Sequence, residues 1–408
     1  MSWFKTKEVR RRIEITILII ILFQIGTFIP LPFIEKINTN ESTLNSLLNL
    51  TTGGALSRFG ILMLGIGPYI TSSILVSILQ KTIPSWKKKS QLPQGRQTIG
   101  QYQRLITILF AVFQGSGLIF NKFMAAQLGV LVPDVTSQQV LIIFLLTVGS
   151  LFTSYLGEKI DEYGVGQGAS VLIAFGILST IPGQIMKVYK LYPVYSKLNQ
   201  LPDYWRQVGI MVAIFLFILI LSYFANKKEY NFPIQSMVNK YKVEAHYFPI
   251  KLLASSVMPV IFATAFITIF STINTVGKHN WKWVNYTTTS GFVIYILLIF
   301  LFSFIYNYIQ IDGEEIQKYF NQSGIYFIGH RGTEVAKFIN RKLYKITWMG
   351  APVLTIIATI AIGIELVAPQ KFGLSLTGVS LLIVIGVAQE MVHQIKGLTN
   401  KHNYKELF

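Results

Sequence analysis

The amino-acid sequence predicts an all-α integral membrane protein with ten transmembrane helices. Of the 408 residues, 52% are hydrophobic and only 13% are charged, a balance far from that of soluble domains. The apolar residues are gathered into runs of roughly 20, the length that crosses the ~30 Å hydrocarbon core as a helix. The segments between the runs are polar and, on alternate sides, rich in lysine and arginine.

The first apolar run, 13–33, follows a basic segment. The run is too long for the core of a secretory signal peptide and lacks a small-x-small cleavage site, so we expect a retained first span. The basic residues before it are Lys5, Lys7, Arg10, Arg11 and Arg12.

Nine further runs complete the predicted bundle. The even number of spans predicts that both termini lie on one side of the membrane. The ten spans are expected at 13–33, 60–80, 104–124, 139–157, 168–187, 208–225, 251–273, 290–310, 347–367 and 374–395.

The positive charges orient these spans. Most of the 36 lysines and arginines fall in segments on the same side as the N-terminus, and positively charged loops stay cytoplasmic. We therefore expect a multi-pass protein with both termini in the cytoplasm. The long loops 81–103, 226–250 and 311–346 share that side, where they could bind anionic lipid headgroups or dock a ribosome or an acidic partner. The net charge of +18 is thus explained without nucleic acid.

The ten spans divide evenly into two groups of five. Residues 1–200 and 201–408 could form two halves related by an axis in the membrane plane, as in many membrane transport proteins. Because each half has an odd number of spans, the second half would be inverted.

The segment 38–59, NTNESTLNSLLNLTTGGALSRF, does not fit an ordinary span. Arg58 at mid-membrane would cost about 2.5–3.5 kcal/mol, so it should not face lipid. Non-helical backbone at membrane depth is tolerated only inside the protein or along a water-filled cavity. We expect the segment to fold back into the bundle from outside; an ordinary external loop is the alternative.

The second span begins with an interrupted pattern. Gly65, Gly67 and Pro68 allow a kink or a close approach of helices. Ile66 and Ile70 are four residues apart and should share one helical face. Such a pair is ordinary core packing unless other helices direct similar residues to the same place.

The sequence also argues against several kinds of chemistry. The chain has no cysteine, so disulfides and thiolate metal sites are excluded. QEMVH at 389–393 has Gln389 where a zinc protease needs its first histidine, so Glu390 and His393 do not form a catalytic metal site. A secondary transporter would need ionisable groups at mid-membrane, whereas Glu14, Glu365 and Glu390 lie near span ends.

Five motifs, in order along the chain, resemble those of the SecY/Sec61 protein-conducting channel family. They are GGALSRFGILMLGIGPYITSSI at 53–74, SYLGEKIDEYGVGQGASVLIAFGIL at 154–178, VMPVIFATAF at 257–266, IGHRGTEVAKFINRKL at 328–343 and SLLIVIGVAQEMVHQI at 380–395. The resemblance implies two inverted five-helix halves around an hourglass pore, a plug helix that closes the pore from outside, and no enzymatic activity.

The resemblance also implies positions for the pore and the plug. The mid-membrane constriction, called the pore ring below, would comprise Ile66, Ile70, Ala169, Ile173, Ile261 and Ile383. Ala169 departs from the usual bulky aliphatic residue, so we expect a looser ring on that side. The plug would span about 43–58, with Thr43, Leu44, Leu47, Leu48, Gly53, Gly54, Leu56 and Arg58.

Two further surfaces follow from the resemblance. A lateral gate between helices 2–3 and 7–8 would carry polar residues of the seventh helix, although each could equally serve helix packing. Basic residues of the last large cytoplasmic loop would dock a motor ATPase. The gate residues are Thr264, Thr268, Ser271 and Asn274, and the docking residues are Arg331, Lys337, Arg341 and Lys342.

Departures from the family pattern cluster on the motor-facing side. Gly332 stands where the family usually has proline, and the loop at 226–250 keeps Pro233 to Gln235 but lacks the preceding arginine cluster. These features resemble the accessory SecY of Gram-positive bacteria, which exports large serine-rich glycosylated adhesins. A divergent housekeeping SecY is the alternative.

The resemblance further implies the partners. An accessory SecA-type ATPase would hydrolyse ATP, so the chain itself needs no cofactor or metal. Small SecE/SecG-like subunits, preproteins and anionic lipids would complete the system in the bacterial cytoplasmic membrane.

Overall fold

The computed structural model describes most of the chain. The described residues are 7–36, 60–90, 92–120, 130–131, 133, 135–197, 201–236, 246–252, 258–277, 281–284, 288–310, 313–323, 325–327, 334–367 and 378–405. The predicted plug at 43–58 and the predicted docking residue Arg331 therefore lie outside the described residues.

Long helices dominate the fold, and each of the ten predicted spans overlaps one of them. Two shorter helices, Pro84–Ser90 and Gly313–Ser323, lie between long ones. The long helices are α1 Lys7–Thr27, α2 Gly67–Thr82, α3 Pro93–Phe120, α4 Thr136–Tyr163, α5 Gly168–Lys197, α6 Leu201–Lys227, α7 Met258–Val276, α8 Thr289–Gln310, α9 Glu334–Val367 and α10 Gly378–Lys405.

Seven of the helices among the described residues are long and apolar enough to cross a membrane. The helix α2 is shorter: its 16 residues span about 24 Å, less than the hydrocarbon core. The helix α9 is much longer than its predicted span, because its first three turns, from Glu334, are amphipathic and precede the continuously apolar part. Hydropathy locates the apolar part of each helix but not the polar turns that continue it.

The helix contacts repeat between the two groups of five. In the first group α2 packs on α3, α3 on α4, α4 on α5, and α1 on both α4 and α5. In the second group α7 packs on α8, α8 on α9, α9 on α10, and α6 on both α9 and α10. Exchanging each helix for the one five places later therefore reproduces these contacts, as expected for two related halves. The boundary between residues 200 and 201 stays a prediction.

The two groups meet along two seams. On one side, α2 contacts α7 and α8, and α3 contacts α7; we call this the α2/α7 seam. On the other side, α5 contacts α6 and α10, and α1 contacts α10. A large apolar core with side chains from both groups lies between the seams.

The long loops contain a small sheet that the sequence analysis did not predict. The two-residue strands β1, Glu35–Lys36, and β2, Val130–Leu131, pair only with each other among the described residues. Strand β3, Glu229–Ser236, pairs antiparallel with β4, His246–Lys251, and with β5, Ile325–Phe327, to form the sheet of the long loops. A separate apolar cluster lies beneath it, with Ile250 and Phe327 from the sheet. The sheet joins the predicted loops 226–250 and 311–346 into one folded unit.

Small residues let α4 pack closely against the chain before α2. A Cβ added at Gly149 would overlap the backbone carbonyl oxygen of Ile61. Since this neighbour is backbone, it cannot rotate away as a side chain would. The close approach therefore depends on glycine at this position.

We expect the substitution Gly149→Ala to destabilise the protein by about 1–3 kcal/mol, because the methyl group forces α4 away from Ile61. The measurement is the thermal unfolding midpoint of the purified protein in detergent. Gly209→Ala in α6 is the matched control, since no atom lies within 4 Å of a Cβ added at Gly209. Equal midpoints for the two variants would contradict the proposed packing constraint.

Candidate functional site

A non-helical segment, 61–66, leads into α2. Its start is fixed to the end of α1, because the N–H of Ile61 donates to the carbonyl oxygen of Ile29 over 2.9 Å and Gly60 forms a bridge with Pro30. Gly65 has a φ of 56°, a left-handed conformation that favours glycine. The segment is buried in the protein, which is where irregular backbone is tolerated in a membrane protein.

The helix α2 begins at Gly67, later than the predicted start of the span at residue 60, and Ile66 caps it. Pro68 fits in the first turn because the N–H groups there have no partner within the helix. The N–H of Ile70 donates to the carbonyl oxygen of Ile66 over 3.1 Å, so the two isoleucines lie one turn apart. Both side chains are buried, at 2% and 4% exposure.

All six predicted pore-ring residues belong to one apolar cluster. They come from four different helices or helix ends, and none is more than 8% exposed. The first group contributes the pairs on α2 and α5, and the second group contributes one residue each from α7 and α10. The six are Ile66, Ile70, Ala169, Ile173, Ile261 and Ile383. The six residues share this cluster with many other buried residues, so their role as a pore ring stays a prediction.

The small side chain of Ala169 lies beside a backbone contact between α4 and α5. A Cβ added at Gly168 would overlap the carbonyl group of Gly157, and one added at Gly157 would lie 3.2 Å from Cδ1 of Ile66. Small residues at helix interfaces allow such close approach. Gly157 was not predicted from the sequence. The signal that could have revealed it is the pair of glycines, Gly157 and Gly168, on the two sides of the α4–α5 turn.

The turn between α4 and α5 connects helices of both groups. The N–H of Val165 donates to Oγ1 of Thr16 in α1 over 2.9 Å, and the N–H of Gly166 donates to Oε1 of Gln394 in α10 over 2.8 Å. The N–H of Gly168 donates to Oδ1 of Asp161 over 2.7 Å. The GVGQG segment is thus a structural joint in which three backbone N–H groups donate to side chains.

The four predicted gate residues lie on α7 and differ in their surroundings. The hydroxyl groups of Thr264 and Tyr295, from α8, are 2.9 Å apart, so Thr264 serves contact between neighbouring helices of one group. Oγ1 of Thr268 donates to the carbonyl oxygen of Thr264, and Ser271 is 8% exposed. Oδ1 of Asn274 accepts a hydrogen bond from the N–H of Trp281 over 3.0 Å.

Aromatic packing fixes α7 against α8, a feature that the sequence analysis did not predict. The ring of Phe262 makes edge contacts with Phe302 and Tyr306, and Phe266 contacts Phe302. In each helix these aromatic residues are spaced by four, and this matched spacing is the signal that could have revealed the contact.

The predicted docking residues that the structure describes lie in the polar first turns of α9. Lys337 and Arg341 are exposed and four residues apart, so they share one face of the helix. The ammonium group of Lys342 lies 5.4 Å from the ring centroid of Phe338 and 5.8 Å from that of Phe232 in β3. Lys342 thus packs between α9 and the sheet.

The chain is similar to known proteins over nearly its whole length. The SecY family model matches residues 60–392. The protein translocase subunit SecY of Staphylococcus carnosus is 32% identical over 427 residues, covering 99% of this chain and 98% of the relative. The corresponding subunit of Streptococcus sanguinis is 34% identical over 427 residues, covering 98% of this chain and 96% of the relative.

The fold is also similar to that of a solved structure described as the structure of a protein conducting channel. The two chains superpose with a TM-score of 0.67 and share 18% identity, and the match covers 96% of this chain and 92% of the other. The family model, the full-length relatives and the fold agree with one another. The chain therefore belongs to the SecY family of protein translocase channel subunits.

Proposed function

We propose that this chain is the channel subunit of an accessory translocase and passes unfolded preproteins, including serine-rich glycosylated adhesins, across the bacterial cytoplasmic membrane. Membership of the SecY family makes it a translocation channel subunit and not an enzyme. The observation that carries the pore assignment is the burial of six aliphatic residues from four helices in one central cluster.

An aliphatic ring suits a channel for unfolded chains. A hydrophobic constriction blocks ions by excluding water, and it offers no charge to which a passing polypeptide would bind. Flexible aliphatic side chains can also fit around extended segments of different sequence. We propose that the plug at 43–58 completes this seal from outside.

The movement of the substrate is assigned to a separate motor. The chain would dock it through the basic face of α9, where Lys337 and Arg341 are exposed, together with Arg331 and Lys342. In this arrangement the motor hydrolyses ATP and the channel supplies only the path. SecE/SecG-like subunits and anionic lipids are the other proposed partners. The distribution of positive charge supports a cytoplasmic location for both termini.

The motor-facing sequence and the named relatives favour different kinds of channel, accessory and housekeeping. Gly332 after Arg331, and the missing arginine cluster before Pro233, support a motor surface that differs from the common one. The relatives from Staphylococcus carnosus and Streptococcus sanguinis are named simply protein translocase subunit SecY, and this favours the general secretion channel as the second candidate.

We expect Ile66→Gly to make the resting channel leak ions, because it removes one of the isoleucine side chains from the ring. Ile66 precedes α2, so glycine there does not interrupt a helix. The measurement is the conductance of the purified channel complex in a planar lipid bilayer. Leu64→Gly is the matched control: Leu64 is equally buried in the same segment but packs in a second cluster between α3 and α4. Equal conductance of both variants would refute the ring.

We expect Arg331→Glu to stop export while the protein still inserts and folds, since the reversed charge repels an acidic docking site on the motor. The measurement is the transport of a preprotein into vesicles that contain the channel, with the amount of inserted channel determined in parallel. Arg331→Lys keeps the charge and should retain most of the transport. Normal transport by a well-inserted Arg331→Glu channel would remove this role.

Deletion of the gene distinguishes the two candidate functions. For an accessory channel we expect viable cells that retain serine-rich glycosylated adhesins inside while other proteins are still secreted. The measurements are colony formation and the amount of adhesin on the surface and within the cell. Lethality with a general failure of secretion would instead identify the housekeeping channel.

A further inference from the structure

Two ion pairs join the two groups of helices at one end of the α2/α7 seam. Nζ of Lys87 lies 2.8 Å from Oε2 of Glu314, and Nη2 of Arg96 lies 4.0 Å from Oε1 of Glu315. Other ion pairs, such as Arg104 with Glu158, connect helices of the same group. These two pairs are therefore placed where a separation of the groups would pull them apart.

A third contact crosses the seam beside them. The ammonium group of Lys81, at the end of α2, lies 5.7 Å from the ring centroid of Tyr308 near the end of α8. This distance is within the range of a cation–π interaction. Contacts of two kinds thus join the two groups at this end of the seam.

The basic side is fixed rigidly to α2 and α3. Lys87 lies on the helix Pro84–Ser90, which follows α2 after a single residue. The ring of Trp86 stacks on Tyr102 of α3 with centroids 5.5 Å apart, and Nε of Arg96 donates to the carbonyl oxygen of Ser90 over 2.9 Å. A movement of α2 and α3 therefore moves the basic residues with it.

The acidic side is fixed in the same way to α8 and α9. Glu314 lies in the first turn of the helix Gly313–Ser323. Only two residues separate this helix from the end of α8 at Gln310. The N–H of Ala336 in α9 donates to Oε1 of Gln317 over 3.3 Å, and a Cβ at Gly313 would meet Asn340 of α9. The two carboxylates lie in the first turn of their helix, where the positive end of the helix dipole stabilises them. Lys87 lies in the last turn of the helix Pro84–Ser90, where the negative end of the dipole stabilises a positive charge.

We propose that Lys87, Arg96, Glu314 and Glu315, with Lys81 and Tyr308, form a latch that sets how readily the α2/α7 seam opens. The pairs are partly exposed, 36% and 56% for Lys87 and Glu314, so each contributes modestly and is weakened by salt. Because both sides are attached directly to helix ends, opening the seam requires that the pairs lengthen. They are positioning residues, which act on the gate without touching a substrate.

The absence of cysteine makes the test direct, since two introduced cysteines can carry spin labels without competing sites. Leu109 in α3 and Leu297 in α8 are exposed, at 69% and 60%, and lie on opposite groups. The full chain with Leu109→Cys and Leu297→Cys is labelled, reconstituted in vesicles, and the distance between the labels is measured by pulsed electron spin resonance. The population at the longer distance reports the open seam.

We expect the pair of substitutions Lys87→Glu and Arg96→Glu to raise the ratio of long to short distances about two- to fivefold. Adding Glu314→Lys and Glu315→Lys should restore the original distribution, because the pairs form again with reversed sign. About 1 M salt should shift the unsubstituted channel toward the long distance, since screening then acts within about 3 Å.

The matched control is Lys88→Glu with Lys89→Glu, which changes the net charge equally at two exposed neighbouring positions. An unchanged distance distribution after reversal of Lys87 and Arg96 would overturn the latch. An equal shift of the distance distribution in the control would also overturn it. So would a variant with all four charges reversed that does not return to the original distance distribution. The readout is a distance and not transport, so it does not depend on whether the channel serves accessory or general secretion.

Discussion

The need to satisfy backbone hydrogen bonds away from water constrains the centre of this protein more than any other interaction. The helix α2 begins at Gly67, within the bundle, and the segment before it is not helical. Such backbone persists in a membrane protein only where the surrounding protein supplies partners and excludes lipid. The bridge between Gly60 and Pro30, the glycine at 149 and the buried isoleucines around Ile66 all follow from that requirement.

The same constraint couples the ring to the rest of the bundle. Ile66 is held by the turn before α2, and Ala169 lies at the first residues of α5, beside the glycine contact with α4. The α4–α5 turn is in turn bound to Thr16 of α1 and Gln394 of α10. The positions of Ile66 and Ala169, two of the predicted ring residues, are therefore set by helix ends and turns, and the α4–α5 turn is itself fixed by hydrogen bonds to distant helices.

The sequence allowed the helices to be located because hydropathy and charge act locally along the chain. Family motifs then predicted six ring residues, and the structure brings all six into one buried cluster. The sheet was not predicted, because its strands are short and carry weak strand patterns. In addition, about ninety residues of sequence separate β3 from β5. The contact of Lys87 with Glu314 was missed because it arises only when the two groups of helices pack together. The contact of Phe262 with Tyr306 did leave a signal, the aromatic residues spaced by four in each helix.

The three-stranded sheet has a mechanical consequence. The strand β3 follows α6, β4 precedes α7, and β5 lies between α8 and α9, so one hydrogen-bonded unit is covalently continuous with four long helices. A force applied at any point of this unit is divided among all four. The ends of these four helices are thereby tied together and resist independent movement, whereas the described residues of the first half form no sheet at that end.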